Sequence, residues 1–176
     1  MTGLFGKMPR HGDFVRLGLP AEFVTAWDDW ASRAIAAARA ALPPEAWEAA
    51  WATAPAWRFR LAPSVCGPWL WAGVVAPAED MVGRRFPLVV ASSLVDHDPP
   101  PEAWYDAAEA AVAAARAGRL DAEGLLAALP PPPLPLASDS TFDGTCLWWR
   151  AGQDAPAASR GLSDSPVFAW ATEAAA

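Results

Sequence analysis

The chain is 176 residues long, enough for one domain that buries most of its apolar surface without disulfide or metal staples. Hydrophobic residues make up 53% of it, the composition of a globular and not a disordered chain, and Pro, Arg, Asp or Glu cut every apolar run before it reaches membrane-spanning length. With 20 acidic against 13 basic residues the net charge is −7, which argues against nonspecific nucleic-acid binding.

In chain order, GLFGKM (3–8) is short and apolar enough for an opening strand that Pro9 stops. No apolar signal-peptide segment opens the chain, so the expected compartment is the cytoplasm. Pro20 suits a first helical position, and Phe23, Trp27, Trp30, Ala34 and Leu42 recur near the 3.6-residue period up to Pro43-Pro44. A second helix runs from Pro44 to about Ala54, with Trp47 and Trp51 one turn apart. WRFRL (57–61) alternates Trp57, Phe59 and Leu61 with Arg58 and Arg60, which predicts a strand with one wet face.

WLWAGVVAP (69–77) reads as a more buried strand, where Gly73 permits close approach of another backbone. EDMVGRR connects it to a third apolar strand over 86–94. After the DHDPPPE loop, a helix from about Pro101 to Ala117 is closed by Gly118, and Asp121 can cap a short helix carrying Leu125, Leu126 and Leu129. Residues 130–135 form a proline-rich connector, GTCLWWRAG is a last strand, and SPVFAWATE a short terminal helix. Short turns between strands imply antiparallel pairing, and the helical blocks return to cover the sheet. The expectation is one α/β domain over 1–176, a three-layer α/β/α sandwich with a mixed, largely antiparallel sheet. Eleven tryptophans imply an aromatic surface patch or, the default reading, a core built on indole rings.

Candidate chemistry is sparse. GLFGK has GxxGK spacing, with Met8 and Pro9 where a phosphate loop needs GxxxxGK and a hydroxyl, so that reading fails. Cys66 with His11 and Asp13 lacks any local feature that lowers a thiol pKa. Ser92-Ser93 has no nucleophile elbow. Asp96, His97 and Asp98 are too few for a metal site, and Cys66 and Cys146 form no ligand cluster. No catalytic residue, metal or cofactor is therefore assigned. The charged residues of HGDF and VGRRF read better as loop fixers, with Asp13 or Asp80 paired to Arg84. Lys7, His11, Asp13, Arg16, Asp80, Arg84, Trp148 and Trp149 are the candidates for fixing a loop or meeting a partner.

GLFGKMPRHGDFVRLGLP followed by FVTAWDDW, then APAWRFRLAPSVCGPWLWAGVVAP, EDMVGRRFPLVVA, TCLWWRAG and GLSDSPVF, resembles the TagF (ImpM) family of type VI secretion accessory proteins in order and spacing. The resemblance covers nearly the whole chain. It implies an α/β/α sandwich and a cytoplasmic, non-enzymatic, post-translational negative regulator of secretion-apparatus assembly. Its implied partner is a forkhead-associated scaffold protein, with no membrane insertion and no nucleic acid. The alternative is a phosphate-related hydrolase or phospho-ligand-binding protein using His11, Asp13 and Arg84.

Overall fold

The computed structural model describes residues 1–94, 100–131 and 144–169. Seven strands, β1 (Thr2–Gly6), β2 (Val15–Leu17), β3 (Trp57–Leu61), β4 (Leu70–Ala76), β5 (Leu88–Leu94), β6 (Cys146–Trp149) and β7 (Ala157–Ser159), form one sheet in the order β2-β1-β5-β4-β3-β6-β7. Every pairing is antiparallel, which corrects the expected mixed sheet. The connections explain this. β3, β4 and β5 follow one another through short links, and the helical blocks return the chain to a sheet edge running the opposite way.

The helices are α1 (Ala21–Ala41), α2 (Pro44–Thr53), α3 (Glu102–Arg116) and α4 (Ala122–Ala128). Because side chains alternate across a strand, the central strands feed two cores. Phe59, Trp71, Val75 and Val89 pack with the apolar faces of α1 and α2. Ala72, Val74, Leu88 and Val90 pack with those of α3 and α4. The register sets Val75 beside Val89 on one face and Val74 beside Val90 on the other. Gly73 is required on the first face, where a Cβ would collide with the Phe59 ring and the Val90 carbonyl.

The first core is aromatic, as the tryptophan count implies. Trp27 stacks on Phe23 at 5.5 Å between ring centres, meets Trp30 at 4.9 Å and Phe59 at 5.3 Å, while Trp148 lies 5.5 Å from Phe59. Of the described tryptophans only Trp69 and Trp149 are not buried.

Helix ends follow the sequence signals. Asp121 Oδ1 accepts the Gly124 N–H at 2.8 Å and caps α4. Gly118, at φ +70°, ends α3 in a Schellman motif: its own N–H donates to the Ala115 carbonyl, and the Arg119 N–H donates to that of Ala114.

Four further expectations are corrected. The opening strand ends at Gly6, because its φ of +134° turns the chain away and its missing Cβ leaves room for the Pro87 carbonyl. The segment after it is not all loop: Val15–Leu17 returns to pair with β1, Leu17 opposite Leu4. A second unexpected strand, β7, pairs with β6. The arginine face of β3 is not wet, since α3 covers it and Arg58 is buried. The terminal segment SPVFAWATE shows a single 3-10 turn at Pro166–Phe168, and its remainder beyond residue 169 lies outside the described residues, as do Pro132–Pro135 and the Asp96–Asp98 loop.

Candidate functional site

The chain between β4 and β5 makes a tight turn over 80–84, organised by one carboxylate. Asp80 is 3% exposed, and both its oxygens are doubly engaged. Oδ1 accepts the backbone N–H of Val82 at 3.1 Å and of Arg84 at 2.9 Å. Oδ2 accepts Lys7 Nζ at 2.8 Å and Arg84 Nε at 2.7 Å. The backbone closes the same turn, with the Asp80 N–H donating to the Arg84 carbonyl and the Gly83 N–H to the Asp80 carbonyl, both at 3.0 Å. Gly83 sits at φ +80°, where an L side chain is strained. Burial alone pushes the Asp80 carboxyl pKa up, but the hydrogen bonds from Lys7, Arg84 and Val82 outweigh it and hold the group well below the usual carboxylate range.

Lys7 brings the N-terminal loop to this turn. It is itself buried, with Nζ 5.0 Å from the centre of the Phe14 ring. The loop is held at two more points, since the Met81 N–H donates to the His11 carbonyl at 3.0 Å and Arg84 Nη2 donates to the Gly12 carbonyl. His11 faces the opposite way, and its Nε2 accepts the N–H of Ala122, the first residue of α4, at 3.1 Å. The structure therefore joins Lys7, Asp80 and Arg84 directly, with His11 tied in through its backbone.

Asp13 is not the partner of Arg84. It is exposed, and its Oδ1 accepts the N–H of Phe14 at 2.8 Å. Arg16 is exposed on β2, opposite Phe5 in the ladder. Trp148 lies wholly inside the first core, its Nε1 donating to Ser159 Oγ at 2.8 Å. Trp149 is half-buried on the other face, 4.8 Å edge-on to Tyr105.

The locked loops form a platform with apolar side chains on the outside. Met81 is 64% and Val82 68% exposed, and Phe14 is 44% exposed while packing at 4.8 Å on Phe86 and 5.6 Å on Phe5. Arg84 keeps more than half of its side chain in solvent.

Other chemistry finds no support among the described residues. No group of three His, Cys, Asp or Glu is placed to hold a metal. Burial pushes the Cys66 thiol up to about 12 and raises that of Cys146, the reverse of an activated nucleophile. No described helix is long and apolar enough to cross a membrane.

Sequence reasoning missed one ionic cluster. Arg58 reaches Glu102 at 2.6 Å, Asp106 at 2.7 Å and Glu109 at 2.8 Å, pinning α3 to the sheet. Burial opposes its charge, but the bonds to Asp106 and Glu109 prevail and raise its pKa. The spacing of those acids, one helical face over two turns, was the available signal.

The fold has solved counterparts. The crystal structure of PA0076 from Pseudomonas aeruginosa PAO1 is similar, with a TM-score of 0.77 and 32% identity over 96% of this chain and 92% of that one. No curated protein matches the chain. Residues 3–130, which contain the whole Lys7–Asp80–Arg84 platform, match the model of the TagF N-terminal domain, described as type VI secretion system-associated, and the chain belongs to that family.

Proposed function

We propose that the protein is a non-enzymatic binding module that restrains assembly of the type VI secretion apparatus in the cytoplasm by occupying a forkhead-associated scaffold protein. Membership of a type VI secretion-associated family supplies the biological setting. The observation that carries the binding mode is the buried Asp80, which fixes two loops into one rigid surface and leaves Met81, Val82, Phe14 and Arg84 outside. Interfaces favour exposed apolar and aromatic groups rimmed by arginine on a pre-organised backbone, because less ordering entropy is lost on binding. The two core clusters on opposite faces of the sheet support reading the fold as three layers, with the platform at one end of the sheet.

The hydrolase alternative draws little support. Arg84 is answered by Asp80, His11 caps a helix, and Asp13 is turned to its own backbone, so the three do not converge on one reacting point.

The test is a calorimetric titration of a forkhead-associated scaffold protein of a type VI secretion apparatus with wild type and with Met81→Asp/Val82→Asp. Both side chains are exposed, so the fold should persist, and affinity should fall at least about tenfold. A well-folded double variant that binds as tightly as wild type would remove the platform from the interface. In cells, deleting the gene should raise secretion; unchanged or lower secretion contradicts restraint.

A further inference from the structure

Next to this turn, at the end of the sheet, α2, the strand end after β4 and the last turn of α3 enclose a cavity of about 200 Å³. Its walls are Trp51, Pro77, Ala78 and Glu79, with Arg85 and Arg116 on the lining. The two arginines differ from the others on this surface. Arg116 is half-buried, and among the described residues it has neither an ion pair nor a hydrogen-bonded acceptor. Burial lowers its pKa with no carboxylate to offset the effect. Arg85 is largely enclosed, with 18% of its side chain exposed, and it pairs through Nη1 with the exposed Glu48. Its Nε–H is buried and meets no acceptor among the described residues. Glu79, the carboxylate on the lining, is exposed and forms no ion pair with either arginine.

A buried guanidinium N–H without an acceptor, beside a partly desolvated guanidinium without a counter-ion, is unfavourable unless something fills the space. An oxyanion in the cavity would supply the counter-ion that Arg116 lacks. Two guanidinium groups suit a doubly charged tetrahedral group better than a carboxylate, because a phosphate presents three acceptor oxygens and neutralises both cations. The volume admits such a group with a few attached atoms, and Trp51 and Pro77 give those atoms an apolar wall.

We propose that this cavity binds a phosphate group, free or carried as a monoester, between Arg85 and Arg116. Glu48 is the intramolecular carboxylate that holds the Arg85 fork until the phosphate displaces it. The site uses residues other than the Met81–Val82 platform and stands whether or not that platform is an interface.

The experiment is a nuclear magnetic resonance titration of the full chain, following the arginine Nε–H signals. The probes are sodium phosphate and O-phosphoserine, with sodium acetate at matched ionic strength as the control. Saturable shifts of the Arg85 and Arg116 signals are expected with phosphate or phosphoserine. The tighter of the two tells whether the free ion or the ester is the natural form. Arg116→Gln, which removes an unpaired cation and so keeps the fold, should weaken binding about tenfold or more, the factor set by one charge-assisted hydrogen bond. Glu48→Gln frees the Arg85 fork and should tighten binding several-fold. Non-saturable shifts, acetate binding as tight as phosphate, or unchanged affinity in Arg116→Gln would each overturn the site. No partner protein is present, so this outcome is separate from that of the scaffold titration.

Discussion

Replacing Ser159 with alanine tests how the edge hairpin β6–β7 is fastened to the aromatic core. Trp148 is fully enclosed, and its indole N–H has Ser159 Oγ as acceptor at 2.8 Å. The hydroxyl in turn donates to the Gly161 carbonyl at 2.7 Å. Ser159→Ala leaves the indole N–H buried without an acceptor, a penalty of about 1–3 kcal/mol. Trp148→Phe removes the N–H together with ring volume from a site bounded by Phe59 and Trp30, and should cost about 2–4 kcal/mol. In the Phe background no N–H remains to be orphaned, so the second substitution should then cost only about 0.5 kcal/mol. The two changes are therefore non-additive, with a coupling of about 1–2 kcal/mol. Urea unfolding followed by circular dichroism measures all four corners of the cycle, provided the slope with denaturant stays constant. By heat, Ser159→Ala should melt about 2–12 °C below wild type, at about 2–4 °C per kcal/mol for a chain of this size. Additive effects, with a coupling below about 0.3 kcal/mol, would mean that the indole N–H does not depend on that hydroxyl.

The remaining expectations concern the turn, the thiols and the sheet. Asp80 has a folded-state pKa below its unfolded value, so its contribution to stability is present above about pH 4 and drains away as pH falls further. Asp80→Asn should flatten the acid limb of a stability–pH curve recorded by denaturant unfolding; parallel curves would contradict the assignment. Iodoacetamide at pH 8 should leave Cys66 unmodified in the native protein and alkylate it in urea, whereas labelling without denaturant would show an accessible thiolate. Gly73→Ala should destabilise by about 1–3 kcal/mol through overpacking against Phe59, while Gly161→Ala, with open space at its Cβ, should stay within about 0.5 kcal/mol. Equal melting temperatures for those two variants would deny the close approach at Gly73.

The long elements were legible because burial imprints a period. Trp57, Phe59 and Leu61 alternate as a strand requires, and the α1 and α3 apolar residues repeat as helices do. β2 and β7 have three residues each, too few for an alternation to register. Arg58 misled for a different reason. A charged residue on alternate positions looks wet until a distant helix supplies three carboxylates, and only the spacing of Glu102, Asp106 and Glu109 hints at that. At the candidate site, the loop-fixing role of Arg84 was readable from its glycine-turn setting. The choice of Asp80 over Asp13, and the addition of Lys7 from 73 residues away, depend on how β1 and β4 flank β5, which no local window contains.

The turn at 80–84 also separates what holds a surface from what a surface says. Every bond that shapes it uses the Asp80 carboxylate, the Arg84 side chain or main-chain groups, and none uses the side chains of Met81 or Val82. Those two positions can be rewritten while the backbone beneath them stays in place. Substitution at two outward side chains is thus uncoupled from the problem of how the loop folds.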